Sequence, residues 1–422
     1  MKTIGLTKKH LALLSVVMLL SGCLTLKEES INDKAQRIHE GVLTLDTHVD
    51  INPKDFTRKR HLGMSLNTEL DLPKMKQGGL DAAFFIVYVG QGDLSPEAYT
   101  KANLKAQLKF DAIHRMTETL NHDLIVLART PEDVRAIHAG GKKVAMIGVE
   151  NAYPLGTDIN NLDGYFDQGA RYISLVHNGH NQFGDSNYPK GNDPIAKHNG
   201  VTELGKQLIA RANQLGVMVD ISHASKKTAL HTLKLSQAPV IASHSSVAML
   251  HAHTRNVDDD VLLAIKRNNG VIHVVAFRSY LKPTAGKKLE AINVLAKKYK
   301  LPQGSFWEEG DRVFSAIKKL PAAQRLAYFN EFRQIVKMYD HASVKDLVDH
   351  IDYVVEKIGI EHVGISSDFG GGGGLTGWED ASKTLNVTAE LIKRGYSNAD
   401  IEKIWSGNLL RVWEDVISYA NK

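Results

Sequence analysis

Apolar residues along this chain gather in eight short runs, at 42–45, 82–89, 143–149, 172–176, 217–221, 240–242, 271–276 and 363–366. Between them, apolar positions recur with a helical period, as at 102–120, 201–215 and 257–266. Runs that are apolar throughout predict strands covered on both faces, and the periodic stretches predict the helices that cover them. Eight such units predict an α/β chain folded as a closed (β/α)8 TIM barrel rather than an open sheet.

The polar residues that end these runs point the same way. His48 and Asp50 follow the first run, Glu150 the third, His177 the fourth, His223 the fifth, His244 the sixth and Asp368 the eighth. In a parallel barrel all these strand ends open onto one face, so residues more than 300 positions apart would ring one mouth. His48 and Asp50 stand at i and i+2, on one side of an extended strand, where they could hold one metal ion or satisfy each other. A carboxylate as buried as Glu150 needs a cation or a strong donor beside it: bridged metal ions or an arginine would serve. His223 and His244, on neighbouring strand ends, suit zinc. Arg255 could clamp a carboxylate bidentately or pair with Asp258–Asp260 at a helix entry. Asp368 precedes five glycines, which allow close backbone approach or a turn.

Composition narrows the function classes. At 43% hydrophobic and 23% charged, the chain is ordinary for a folded globular protein. The net charge is +5, of which Lys2, Lys8 and Lys9 supply three units, leaving +2 for the rest. That gives no concentrated basic surface, so nucleic acid is not an expected partner. The connection from 277 to about 347 is unusually long and carries Phe306, Trp307 and helical patterning over 308–338. An insertion at about 278–347 is therefore expected, serving as a lid, a dimer contact or plain surface.

The N-terminus reads as an address. Three lysines precede an apolar stretch at 11–20, too short to span a bilayer, and Leu20-Ser21-Gly22-Cys23 follows. The tetrapeptide resembles the lipobox of bacterial lipoproteins. This predicts a signal peptide at 1–22, lipidation of Cys23 and a tether over 23–38, with the main domain at 39–422. Cys23 is the only cysteine, so no disulfide is expected in that domain. Leu24 after it resembles lipoproteins sorted to the periplasmic face of the outer membrane.

Taken together, DTHVD at 46–50, GVEN at 148–151, RYISLVHN at 171–178, DISHAS at 220–225 and SHSSVAMLHAHTRNVDDDVL at 243–262 resemble the membrane dipeptidase (renal dipeptidase) family of zinc peptidases. HVGISSDF at 362–369 and GYSNADIEKIWSGNLLRV at 395–412 extend the resemblance, and His244 and Arg255 keep its eleven-residue spacing. The resemblance implies a barrel of the metal-dependent hydrolase type with two zinc ions, His48 and Asp50 on one, His223 and His244 on the other, and Glu150 bridging. It implies catalytic roles for Asp368 and His177, substrate binding by His177, Arg255 and Asp368, a dipeptide substrate whose C-terminal residue is in some members D, and a homodimer. Two departures stand out: Gly370 replaces an aspartate common in the family, and the 278–347 insertion looks longer than usual. Rival expectations keep the metals but change the substrate, to an N-acyl amino acid or a β-lactam, or make the chain a metal-binding lipoprotein without turnover.

Overall fold

The computed structural model describes residues 29–422, apart from 192, 306–308, 310 and 340–341. Cys23 and the stretch 1–22 lie outside the described residues, as do Phe306 and Trp307 of the insertion. No helix among the described residues is long and apolar enough to cross a membrane.

Among the described residues nine strands form one parallel sheet: β1 Leu45–Asp50, β2 Ala82–Tyr88, β3 Ile125–Leu127, β4 Lys143–Glu150, β5 Ala170–Ser174, β6 Met218–Asp220, β7 Val240–Ser245, β8 Val271–Val275 and β9 Val363–Ser366. Eight run in the order β1-β2-β4-β5-β6-β7-β8-β9, and β3 pairs only with β4. The eightfold barrel expected from the apolar runs is therefore present, with β3 an additional outer strand. Its seam is joined just past β9, where Asp50 N–H donates to Phe369 O at 2.8 Å and Asp368 N–H donates to His48 O at 3.1 Å.

Alternation along the strands sorts the core into two layers. Ala82, Phe84 and Ile86 of β2 join Val144 and Met146 of β4 in the barrel interior, while Ala83, Phe85 and Val87 pack with the helices outside. Trp413, from the C-terminal helix Asn408–Ala420, lies 6.0 Å from Phe84 and joins the interior cluster. The helices begin at conventional caps: Ser95 accepts from Ala98 N–H at the start of Pro96–Arg115, and Asp258 accepts from Val261 N–H before Asp259–Arg267. Each such cap stabilises by about 1 kcal/mol. Asp258 and Asp260 pair with Lys226, so the helix-entry carboxylates considered as partners for Arg255 are held by a lysine instead.

Several boundaries shift by a few residues, and two of the differences bear on the sequence reading. The first strand is Leu45–Asp50 rather than 42–45, because it is made largely of buried polar residues that hydrophobicity does not mark. The tether does not reach residue 38. A helix, Ile31–Gly41, buries Ala35 and Ile38, and His39 bonds to Thr388 and to Gly78 O at 2.7 and 2.8 Å. The insertion folds into helices that include Gly286–Lys298, Asp311–Lys318 and Ala322–Met338, around a small core containing Ile292, Leu295, Ile317 and Tyr328.

Candidate metal centre

The inward face of each strand leads directly to the mouth. Continuing the β2 series 82, 84, 86 brings Tyr88 to the rim, and continuing 144, 146, 148 on β4 brings Glu150 there. At β1 the alternation is broken: Thr47 and His48 together oppose one residue of β2, and in β7 Ser243 and His244 oppose one residue of β8. Such bulges re-aim side chains, and both carry a histidine of the site. His223 and Asp368 lie beyond their strands with φ of 67° and 57°, left-handed conformations that concentrate where geometry serves function.

These turns bring the side chains together. Glu150 Oε1 stands 3.1 Å from His223 Nε2, 3.3 Å from His244 Nε2 and 3.8 Å from His177 Nε2. Its other oxygen is 3.8 Å from His48 Nε2, which lies 3.6 Å from Asp50 Oδ2. Asp368 groups with His48 and Asp50, all within 4.8 Å by ligand atoms. Seven of the expected site residues therefore converge, and Arg255 is buried beside them. Cys23 is the one expected position outside the described residues.

Hydrogen bonds on the far side of three rings fix which nitrogen is bare. Tyr172 donates its hydroxyl to Thr47 O at 3.1 Å, so it accepts from His48 Nδ1 at the same distance. Ser243 donates to Asp220 and therefore accepts from His244 Nδ1 at 2.8 Å. Asn178 Oδ1 accepts from His223 Nδ1 at 3.0 Å. In the neutral rings each Nε2 then presents a lone pair toward Glu150, and those of His223 and His244 are only 3.0 Å apart. Two lone pairs and a carboxylate oxygen at such range repel unless a cation lies among them. Two nitrogens on one tetrahedral zinc would be about 3.3 Å apart, close to this spacing.

The electrostatics carry the same demand. Burial raises the Glu150 carboxyl to about 8 and that of Asp368 to about 7. Burial alone would lower His48, but the carboxylates of Glu150 and Asp50 outweigh it and lift it to about 9. Burial takes His177 down to about 3 and carries His223 and His244 well below the imidazole range. His48 and the Arg255 guanidinium both favour the charged form of these carboxylates, and a bound cation would do so more strongly.

The residues match the model of the family described as membrane dipeptidase (Peptidase family M19) over 32–422. The chain belongs to the membrane dipeptidase family. As a membrane dipeptidase it is a metallopeptidase, and its buried His and Glu groups could hold metal. It is similar to the probable dipeptidase PvdM from Pseudomonas aeruginosa, with 35% identity and a TM-score of 0.83 over 92% of this chain and 99% of that one. Dipeptidase aclJ of Aspergillus oryzae is 30% identical over 82% of this chain and 70% of its own length. A metallo peptidase from Rhodobacter sphaeroides shares the fold at 22% identity and a TM-score of 0.67, over 89% of this chain and 99% of that one.

The cavity over this centre is about 800 Å³, and the insertion reaches it, since Phe314 and Lys318 line it. Several functional neighbours escaped sequence reasoning. Tyr88 bonds His177 Nδ1 at 3.3 Å, and its position at the end of the second apolar run was an available signal. Tyr172 reaches His48 across Gly148, where a Cβ would meet the phenol ring at 2.2 Å. Gly370, the departure from the family pattern, has φ 81°, and a Cβ there would lie 2.5 Å from Asp50 O. The turn in this chain is thus built for glycine at that position.

Removing the Tyr172 hydroxyl should loosen the centre while leaving the fold intact. The Tyr172→Phe variant is expected to bind metal about 10–100-fold more weakly, because the acceptor that holds His48 Nδ1–H is gone. Competition with a chromophoric chelator measures this. Unchanged affinity would show that the phenol does not orient His48.

Proposed function

We propose that this membrane dipeptidase is a dinuclear zinc enzyme that hydrolyses the single amide bond of dipeptides, including those with a C-terminal D-residue. The observation that carries this is the state of Arg255. Its side chain is buried, Nη2 donates to His244 O at 3.0 Å, and Nε and Nη1 have no partner among the described residues. A buried guanidinium with two open donors asks for an anion, and the free carboxylate of a dipeptide supplies it bidentately.

His48 and Asp50 would hold one zinc and His223 and His244 the other, with Glu150 bridging. When bound, the pair would lower the pKa of water and polarise the scissile carbonyl. The chain's own groups do the rest. Arg255 fixes the C-terminal carboxylate and so limits the substrate to two residues. In the tautomer whose Nδ1 accepts from Tyr88, His177 carries its hydrogen on Nε2, where it would meet the charge that develops on the carbonyl oxygen. Asp368 takes the proton from the attacking water and returns it to the leaving amine. Lipidation of Cys23 would hold the domain at the periplasmic face of the outer membrane.

Metal content and hydrolysis of L-L and L-D dipeptides, measured on one purified sample before and after chelation, test these statements together. About two zinc per chain and chelator-sensitive release of amino acids are expected. Two zinc with no dipeptide cleaved would move the activity to another small amide, and no metal after reconstitution would end the proposal. Mass spectrometry of the membrane-extracted protein reads the lipid on Cys23.

A further inference from the structure

One cation in the cavity has no part in the chemistry above. Lys109 lies on the helix Pro96–Arg115, which follows β2, and its side chain lines the cavity. Its ammonium makes no hydrogen bond or ion pair among the described residues. Its Nζ lies 5.4 Å from the centroid of the Tyr88 ring. Burial lowers its pKa, opposed by the carboxylates of Asp50 and Glu150. Of the two other lysines lining the cavity, Lys190 donates to Gln91 O at 2.6 Å and Lys318 lies over the Phe314 ring. Lys109 therefore stands half-buried at the cavity wall with its donors uncommitted.

The barrel order shows which part of a substrate it would meet. Arg255 is anchored to the backbone of His244 on β7, and Lys109 sits beside Tyr88 at the end of β2. In the ring β1-β2-β4-β5-β6-β7-β8-β9, those two strands are four places apart and face each other across the mouth. A dipeptide with its carboxylate on Arg255 and its amide over Glu150 extends its N-terminal residue toward Lys109. The α-ammonium of that residue gains nothing from a second cation. A side-chain carboxylate does, through a charge-assisted bond formed away from bulk water.

We propose that Lys109 is a specificity-determining residue that selects dipeptides whose N-terminal residue carries a carboxylate side chain. This rests on the dipeptide hydrolysis proposed above. The test compares Glu-Ala with Gln-Ala and Asp-Ala with Asn-Ala on the metal-loaded full-length protein. The native enzyme should prefer the acidic member of each pair by about tenfold in kcat/KM, mainly through KM. Lys109→Met should bring both ratios near one, and Lys109→Arg should keep part of the preference. Ala-Glu against Ala-Gln should show no dependence on residue 109.

Ratios near one in the native enzyme would overturn the proposal. So would a Lys109→Met variant that loses activity equally on both members of a pair, or a preference confined to the C-terminal position. If Lys109→Met does not fold, the native and Lys109→Arg ratios decide. Cleavage of neutral dipeptides without an acidic preference sinks only this inference, whereas a native protein that cleaves no dipeptide sinks the underlying function with it.

Discussion

Exchange of Glu150 for glutamine is expected to cost at least about a thousandfold in kcat/KM, or about 4 kcal/mol of transition-state stabilisation. The substitution keeps the shape and removes the charge. Glu150 is 3% exposed, and its oxygens lie within 3.1–3.8 Å of four imidazole nitrogens. In the dinuclear centre proposed above it is the bridging group, so its charge would hold both cations at once. An amide could offer one neutral oxygen and would place an N–H against a lone pair or a cation. Metal content should fall below two per chain together with activity. Unchanged hydrolysis in Glu150→Gln would sink the dinuclear mechanism outright.

The Arg255→Met variant is expected to raise KM for free-carboxylate dipeptides about a hundredfold, with kcat less affected. Methionine fills much of the space and leaves no stranded charge, so the packing against Tyr280, whose ring centroid is 5.3 Å from the guanidinium carbon, should survive. What is lost is a bidentate pair between a buried cation and the substrate carboxylate, which contributes about 3 kcal/mol. C-terminal amides supply the control, because they present no charge to the clamp. If the native enzyme cleaves amides as well as acids, Arg255 is not reading the carboxylate.

The barrel and the ring of polar residues at its mouth were legible for one reason: those residues stand at or just past the ends of the strands. Glu150 continues the inward series of an apolar run, and the histidines stand at the ends of others, so the pattern that shows the sheet also shows the site. The period fails where polarity is buried. Asp46, Thr47 and His48 lie inside β1, and Asp46 accepts from the N–H groups of His48 and Ser367 at 3.2 and 2.9 Å, which makes a polar strand tolerable. An apolar count therefore places that strand too early. β3, three residues long and paired on one side, is too brief for periodicity to register.

The groups that set the tautomers were hidden for a different reason. Tyr172 is 124 positions from His48, and Asn178 is 45 from His223, so only folding reveals the partnership. Lys109 looked like any lysine on a helix face. Only the direction of that helix over β2 turns it inward. The helical character of the insertion was visible, but its reach into the cavity through Phe314 and Lys318 was not, since nothing local in 311–318 states what it packs against.

The seam of the barrel has a consequence for how such an enzyme can evolve. The bonds that join the last strand end to the first run through the backbones of His48, Asp50, Asp368 and Phe369, two of which belong to the proposed ligands and one to the proposed proton carrier. The fastening of the scaffold and the reactive apparatus are the same few peptide groups. A mutation that loosens this loop to hasten product release also unfastens the barrel, and one that tightens the barrel stiffens the site. Turnover and durability are coupled at this point, so new specificity is more readily gained from the opposite rim and from the inserted helices, where side chains can change without touching the clasp.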